Sequence, residues 1–241
     1  MALASGDTGS AVELYRRGAA MAPEDSAPYV HLGDELYAKG DFQNAFDAYR
    51  GGLARNPDNF ELNRDLGKLA LALGKPEQAI GYFEAARRKR DDDPLVLNGL
   101  GVAHDSLAEH ARAQEDYKAG MKLAPDNLAI RNNYGLSQAL AGDYKAAIAT
   151  LSALAGEPRA TDRYRQNLAL AYGLAGDNAN AALVSRKDIS AGDGAANLER
   201  YAKLRAMDDT TRSREILASG FNHVEAAVDA GNSSNHVASA H

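Results

Sequence analysis

Apolar and small residues recur along the chain every 34 residues. A large residue stands directly before a small one at Leu32-Gly33, Leu66-Gly67, Leu100-Gly101, Tyr134-Gly135 and Leu168-Ala169. Two other sets keep the same spacing: Ala11, Ala45, Ala79, Ala113, Ala147 and Ala181; and Tyr15, Tyr49, Phe83, Tyr117 and Leu151. Pro23, Pro57 and Pro125 stand in the same register, with Asp91 at the position between the last two. Coincident phases over five units indicate an internal repeat.

Each unit predicts a helix, a tight turn and a second helix. In the first helix the packed positions share one face, and one of them is Gly or Ala, which lets the second helix approach closely. At the turn, Gly can adopt a positive φ and a following Asp can cap the next helix. These turns are predicted at Gly40-Asp41, Gly74-Lys75-Pro76, Gly142-Asp143 and Gly176-Asp177. Because a lone unit cannot bury its apolar face, we expect the units to stack into a superhelical solenoid.

The pattern divides the chain into a repeat region and a different C-terminal region. Residues 10–23 match only the second helix of a unit, so we expect the chain to begin inside a larger protein. In the tail, Leu217, Phe221, Val224 and Val228 have helical spacing, which leaves two alternatives: a flexible segment or a single docking helix. The predicted divisions are a segment at 1–9, the half repeat 10–23, repeats at about 26–59, 60–93, 94–127, 128–161 and 162–193, a capping helix at 194–207 and the tail at 208–241.

The repeat resembles the tetratricopeptide repeat (TPR) from about residue 10 to residue 187. The resemblance rests on the 34-residue unit with a large residue, Leu-Gly, a small residue, an aromatic residue and Pro in order. It implies an all-α superhelical solenoid of antiparallel helix pairs that binds a protein or peptide segment in its concave groove. The chain departs from the family at its fourth position, where Trp is absent, and at Asp91 and Arg159, which replace the closing Pro.

Composition narrows the classes of function. The chain has 45% hydrophobic and 25% charged residues, which is ordinary for a globular protein. Its net charge of −6 provides no general attraction for nucleic acid. The absence of Cys excludes disulfides and thiol catalysis, and no apolar run approaches the roughly 20 residues of a membrane span. We therefore predict neither nucleic-acid binding nor direct membrane insertion.

Recognisable catalytic and cofactor motifs are missing. No phosphate-binding loop, zinc-protease motif or nucleophile elbow is present, so we predict no enzyme activity, no catalytic residue, no small-molecule substrate and no cofactor. His104, Asp105 and His110 are close in sequence, but the histidines flank a predicted turn and a metal site needs three converging ligands. No metal site is predicted. The basic run 87–90, followed by Asp91, fits the dipoles of two successive helices.

Amides recur on the helix face that packing does not use. Position 5 of successive units is Val30, Arg64, Asn98, Asn132 and Gln166, and position 6 is His31, Asp65, Gly99, Asn133 and Asn167. In TPR proteins this face lines the groove, so stacking would form an amide ladder. A primary amide has donors and acceptors for an extended peptide backbone. The apolar surface predicted beside the amides is Val102, Leu136, Leu140, Leu170 and Leu174.

The amino-terminal part of the predicted groove has mixed charge. Its residues are His31, Asp34, Tyr37, Arg64 and Lys68. As an alternative, all these polar residues solvate a concave face that binds no partner. The 34-residue recurrence of the amides favours a binding surface.

The segment 166–207 permits a narrower comparison. Its Gln166-Asn167-Leu168 start, Asp188-Ile189-Ser190, and Asn197-Leu198 with Tyr201, Leu204 and Arg205 resemble the TadD family, the TPR lipoproteins of tight-adherence (Flp) pilus assembly. This implies a location in the cell envelope, in the periplasm at the outer membrane, and a partner in pilus or secretin assembly. The chain shows no signal peptide and no lipid-acceptor Cys, and we expect these features to precede it.

Two classes of function stay open at this stage. The first is a non-catalytic adaptor that holds a segment of a pilus-assembly or secretin protein in its groove. The alternative is a protein-recruiting domain of a larger catalytic or regulatory protein. A homodimer through an exposed terminal repeat is a third option.

Overall fold

The computed structural model describes residues 25–186 and 191–218, together with Glu13, Arg17, Gly18 and Met21. The predicted half repeat otherwise lies outside the described residues, as does the tail beyond residue 218. The described part of the chain contains no strand. Its helices are α1 (Ala27–Ala38), α2 (Phe42–Leu53), α3 (Phe60–Ala72), α4 (Pro76–Arg87), α5 (Pro94–Ser106), α6 (His110–Leu123), α7 (Leu128–Leu140), α8 (Tyr144–Ala155), α9 (Asp162–Leu174), α10 (Asn178–Ser185), α11 (Ala191–Ala206) and α12 (209–218).

The helices belong to two compact units, residues 1–103 and 104–241, which divide within α5. In the first unit, α1 packs on α2, α3 on α4, and α2 on α3. In the second, α7 packs on α8 and α9 on α10, while α6 contacts α7 and α8 contacts α9. The predicted all-α fold of consecutive antiparallel helix pairs is confirmed.

Close helix contacts explain the small residues of the repeat. A Cβ added at Gly67 would lie 2.7 Å from the ring of Phe83, and one added at Gly135 would lie 2.8 Å from Leu151. In each pair the glycine is on the first helix and the bulky residue, 16 positions later, is on the second. The bulky side chains are fully buried. Their rings and methyl groups fill the space that a Cβ would take, which sets the distance between the paired helices.

Turn residues behave as the sequence predicts, with one addition. Gly40, Gly74, Gly142 and Gly176 adopt positive φ. The side chains of Asp41, Asp143 and Asp177 accept hydrogen bonds from the first turns of the following helices. In the third turn, Ala108 takes the same conformation with φ of 59°. This conformation is unfavourable for Ala, because its Cβ comes close to the following carbonyl oxygen.

Two helices follow the last repeat. Helix α11 lies where the capping helix was predicted, and it packs on α9 and α10 through buried Tyr201 and Leu204. Helix α12 lies within the predicted tail and buries Ser213, Ile216 and Leu217. Among the described residues, no helix is both long and apolar enough to span a bilayer.

Candidate functional site

Three of the predicted amides form a connected chain in the second unit. The Nδ2 group of Asn167 donates to Asn132 Oδ1 at 2.9 Å, and Asn132 Nδ2 donates to Asn133 Oδ1 at 3.3 Å. The first bond joins α9 to α7, so it links neighbouring repeats. Asn132 is 1% exposed, Asn133 and Asn167 are half-buried, and Gln166 is exposed. The amide surface of the second unit, defined here as Asn133, Gln166 and Asn167, therefore rests on a buried Asn132.

The predicted apolar surface differs from the expectation. Leu136, Leu140, Leu170 and Leu174 are 1 to 7% exposed, and Val102, in the first unit, is 8% exposed. These side chains belong to the core and do not offer open surface to a partner. Contact between α7 and α9 explains the difference for the leucines, since burying one such side chain is worth about 1.5–3 kcal/mol.

The predicted groove residues of the first unit form separate local pairs. Asp34 accepts a hydrogen bond of 2.6 Å from the hydroxyl of Tyr49, and Asp65 lies within 3.5 Å of both Arg64 and Lys68. Burial, followed by the charge of Asp34, raises the pKa of Tyr49. His31 is exposed, the Tyr37 ring lies 5.5 Å from Phe42, and Asn98 is half-buried. Asp34, Arg64, Asp65 and Lys68 thus each have a polar partner within the first unit.

A buried polar cluster in the second unit was not predicted. Asp105 is 1% exposed, and its carboxylate accepts hydrogen bonds from His110 Nδ1 at 2.7 Å, Ser137 Oγ at 2.8 Å and Tyr117 Oη at 3.2 Å. Burial raises the pKa of Asp105 despite these bonds. Burial alone would lower the pKa of His110, but the hydrogen bond and charge of Asp105, with the charge of Asp209, raise it.

One sequence signal could have identified this cluster. The position of Asp105 in its repeat is otherwise Tyr37, Leu71, Ala139 and Gly173. A carboxylate at a position that is apolar or small in most repeats needs buried partners. His110 stands on the far side of the Ala108 turn, so only the folded turn brings it back to Asp105.

Helix α12 lies against this cluster. Asp209 Oδ2 is 3.5 Å from His110 Nε2, on the side of the imidazole opposite Asp105. Ser213 is fully buried, Ile216 is 4% exposed and Leu217 is 9% exposed. The tail therefore contains a helix that docks within the second unit.

The sequence also raises two other kinds of site, a metal centre and a basic surface. They contain no group of three His, Cys, Asp or Glu side chains placed to hold a metal ion. In the basic run, Arg87 pairs with Glu84, Lys89 with Asp58, and Arg90 with Glu61. These cations are engaged by neighbouring carboxylates, as expected for helix ends.

Comparison with solved structures supports the fold. A tetratricopeptide repeat protein from Parabacteroides merdae is similar with a TM-score of 0.73 and 19% identity, covering 92% of this chain and 94% of the other. MamA (41-end) from Desulfovibrio magneticus RS-1 has a TM-score of 0.58 and 21% identity, over 63% and 86% of the two chains. YrrB, described as a TPR protein with an unusual peptide-binding site, has a TM-score of 0.55 and 16% identity over 78% and 94%.

Comparison with protein families is more specific. A search of curated proteins found no match. One tetratricopeptide repeat model matches residues 36–101, and a second matches 2–60 and 98–165, which together are more than half of the chain. These matches cover repeats in both units and agree with the 34-residue period. The chain therefore belongs to the tetratricopeptide repeat family.

Proposed function

We propose that the chain is a non-catalytic adaptor that holds a segment of another protein on the amide surface of its second unit. The observation that carries the proposal is the hydrogen-bonded chain Asn167–Asn132–Asn133, which crosses from one repeat to the next. Asn167 uses one N–H on Asn132, and a primary amide has a second N–H and an oxygen with two lone pairs. With the exposed Gln166 beside it in sequence, this arrangement suits the backbone of a bound segment.

Family membership supports a role in protein binding. TPR proteins bind other proteins or peptides and are generally non-enzymatic scaffolds. YrrB, a structural neighbour, is described as having a peptide-binding site. Because the leucines beside the amides are buried, we infer that polar contacts dominate recognition on this surface.

We further propose that the partner belongs to tight-adherence (Flp) pilus assembly, as a pilus-assembly or secretin component in the cell envelope. The support is the resemblance of residues 166–207 to TadD-family lipoproteins. In this arrangement the chain acts at the periplasmic face of the outer membrane.

Site-directed photocrosslinking tests the proposal. A photoreactive residue replaces Asn133 in the full chain, and crosslinked proteins from envelope extracts are identified by mass spectrometry. The matched control carries the same residue at Lys145, an exposed position on α8 of the same repeat. We expect position 133 to capture a pilus or secretin component that position 145 does not.

Two outcomes count against the proposal. Equal capture at positions 133 and 145 would remove the amide surface as the binding site. Specific capture of a cytosolic protein at position 133 would retain the adaptor and overturn the pilus assignment.

A further inference from the structure

Arginines from the C-terminal helices reach the ends of the first helices in the second unit. Arg214 Nε donates to the backbone oxygen of Ser106 at 3.2 Å, and Arg212 Nη2 donates to that of Leu140 at 3.5 Å. Ser106 and Leu140 are the last residues of α5 and α7 and are 34 positions apart. Arg205 donates in the same way to Gly173, near the end of α9.

These contacts use a general property of helix ends. The last carbonyl groups of an α-helix lack intrahelical donors and carry partial negative charge. Arg214 and Arg212 supply hydrogen-bond donors to the last carbonyl groups of α5 and α7. The guanidinium groups of Arg212 and Arg214 therefore place positive charge at the negative ends of α7 and α5.

The fit of α12 to this surface is incomplete. Within the described residues, the buried side-chain atoms without a hydrogen-bond partner are His110 Nε2 and Ser213 Oγ. Both belong to residues buried where α12 contacts the rest of the second unit, and Asp209 Oδ2 lies 3.5 Å from His110 Nε2, at the long limit of a hydrogen bond. A buried polar group without a partner weakens an interface. A ten-residue helix is also marginal by itself in water, so α12 depends on its docking contacts.

We propose that the surface carrying Ser106, His110 and Leu140 is a helix-binding site, occupied within the chain by α12 and available to a partner helix of the same chemistry. The chemistry is that of α12 itself: a carboxylate, then arginines three and five residues later, then two adjacent aliphatic residues. The inference rests on the proposed adaptor function and adds a second recognition surface to it. Partner binding at this surface displaces α12.

The test uses the full chain and a labelled peptide of residues 208–218. In the variant Ile216→Asp/Leu217→Asp, the two buried aliphatic side chains become charged and α12 is released. The matched control Thr211→Asp/Ala218→Asp adds two aspartates at exposed positions of the same helix. We expect the peptide to bind the released variant at least about tenfold more tightly than the wild type or the control, because the bound α12 reduces the available site. A peptide in which both arginines are glutamine should lose this binding.

Hydrogen exchange gives an independent readout. The variant Arg212→Gln/Arg214→Gln keeps the aliphatic residues and removes the donors to the two helix ends. Its amides at 209–218 should exchange at least about tenfold faster than those of the wild type. Excess unlabelled peptide should raise the same exchange in the wild type.

Two results overturn the helix-binding site. One is equal peptide affinity for the released variant and the wild type, including no binding to either. The other is unchanged exchange at 209–218 after the arginine substitutions. Either result leaves the photocrosslinking at position 133 unaffected, so failure of this inference is distinguishable from failure of the adaptor function.

Discussion

Asp105 and His110, five residues apart and on opposite sides of a helix–helix turn, form a buried hydrogen bond of 2.7 Å between Oδ1 and Nδ1. The same imidazole faces Asp209 of α12 through its other nitrogen. His110 thus stands between a carboxylate of the repeat core and a carboxylate of the C-terminal helix. This position connects the protonation of one side chain to the docking of α12.

Stability should fall as pH rises through the range in which His110 titrates. The pKa of His110 is raised in the folded state, so its stabilisation is complete below the unfolded-state value of about 6.5 and is lost as pH rises through the folded-state pKa. The raised pKa of Asp105 acts in the same direction at lower pH. Above about pH 6.5, the free energy of unfolding in urea should therefore fall as the pH rises.

The variant His110→Gln should flatten this pH dependence, and Asp209→Asn should reduce it. His31→Gln is the control, because His31 is exposed in the first unit. A slope in His110→Gln equal to that of the wild type would contradict the assignment.

Replacing Ala108 by Gly should stabilise the protein. Ala108 has a φ of 59°, a conformation that Gly adopts without steric cost. The expected gain in the free energy of unfolding is about 0.5–1 kcal/mol, after the larger entropy of Gly in the unfolded chain is included. The reverse change Gly142→Ala, at a φ of 81°, should destabilise by about 1 kcal/mol. Thermal and urea melts measure both; destabilisation by Ala108→Gly would disprove the argument.

Two glycines of the first unit should respond to alanine in opposite directions. A Cβ at Gly67 would lie 2.7 Å from the Phe83 ring, so Gly67→Ala should cost about 1–2 kcal/mol even after the better helix propensity of Ala. A Cβ at Gly81 meets nothing within 4 Å, so Gly81→Ala should stabilise by up to about 1 kcal/mol. The measurement is chemical denaturation of the two variants. Equal changes in the free energy of unfolding would show that close packing against Phe83 does not determine the residue at position 67.

Alanine substitutions at Asn132 and Gln166 should distinguish an effect on stability from an effect on partner binding. Asn132 is buried and bonded to Asn167, so Asn132→Ala should lower the free energy of unfolding by about 1–3 kcal/mol. Gln166 is exposed, and Gln166→Ala should change stability by less than about 0.5 kcal/mol while reducing partner capture from position 133. If Gln166→Ala leaves capture unchanged, Gln166 has no part in the binding surface.

The sequence by itself determined the helix pairs and the turns between them. Those features depend on residues that are close along the chain: a Gly opposite a bulky residue 16 positions later, a Gly at the turn, and an Asp that caps the next helix. The recurrence of the amides also followed from the repeat, because residues 34 apart occupy equivalent places in neighbouring repeats. Asn167 and Asn132 are 35 residues apart, at adjacent positions of neighbouring repeats, and form a hydrogen bond.

Only the tertiary structure decided which positions of each repeat are buried by neighbouring helices. The periodicity placed Leu140 and Leu174 on a helix face but did not reveal that packing buries them. It also gave no reason to join Asp105 to His110 and Ser137, or to place Arg214 on the end of α5 across 108 residues of chain. Such contacts depend on long-range packing, where burial makes a polar side chain select a partner that no local pattern specifies.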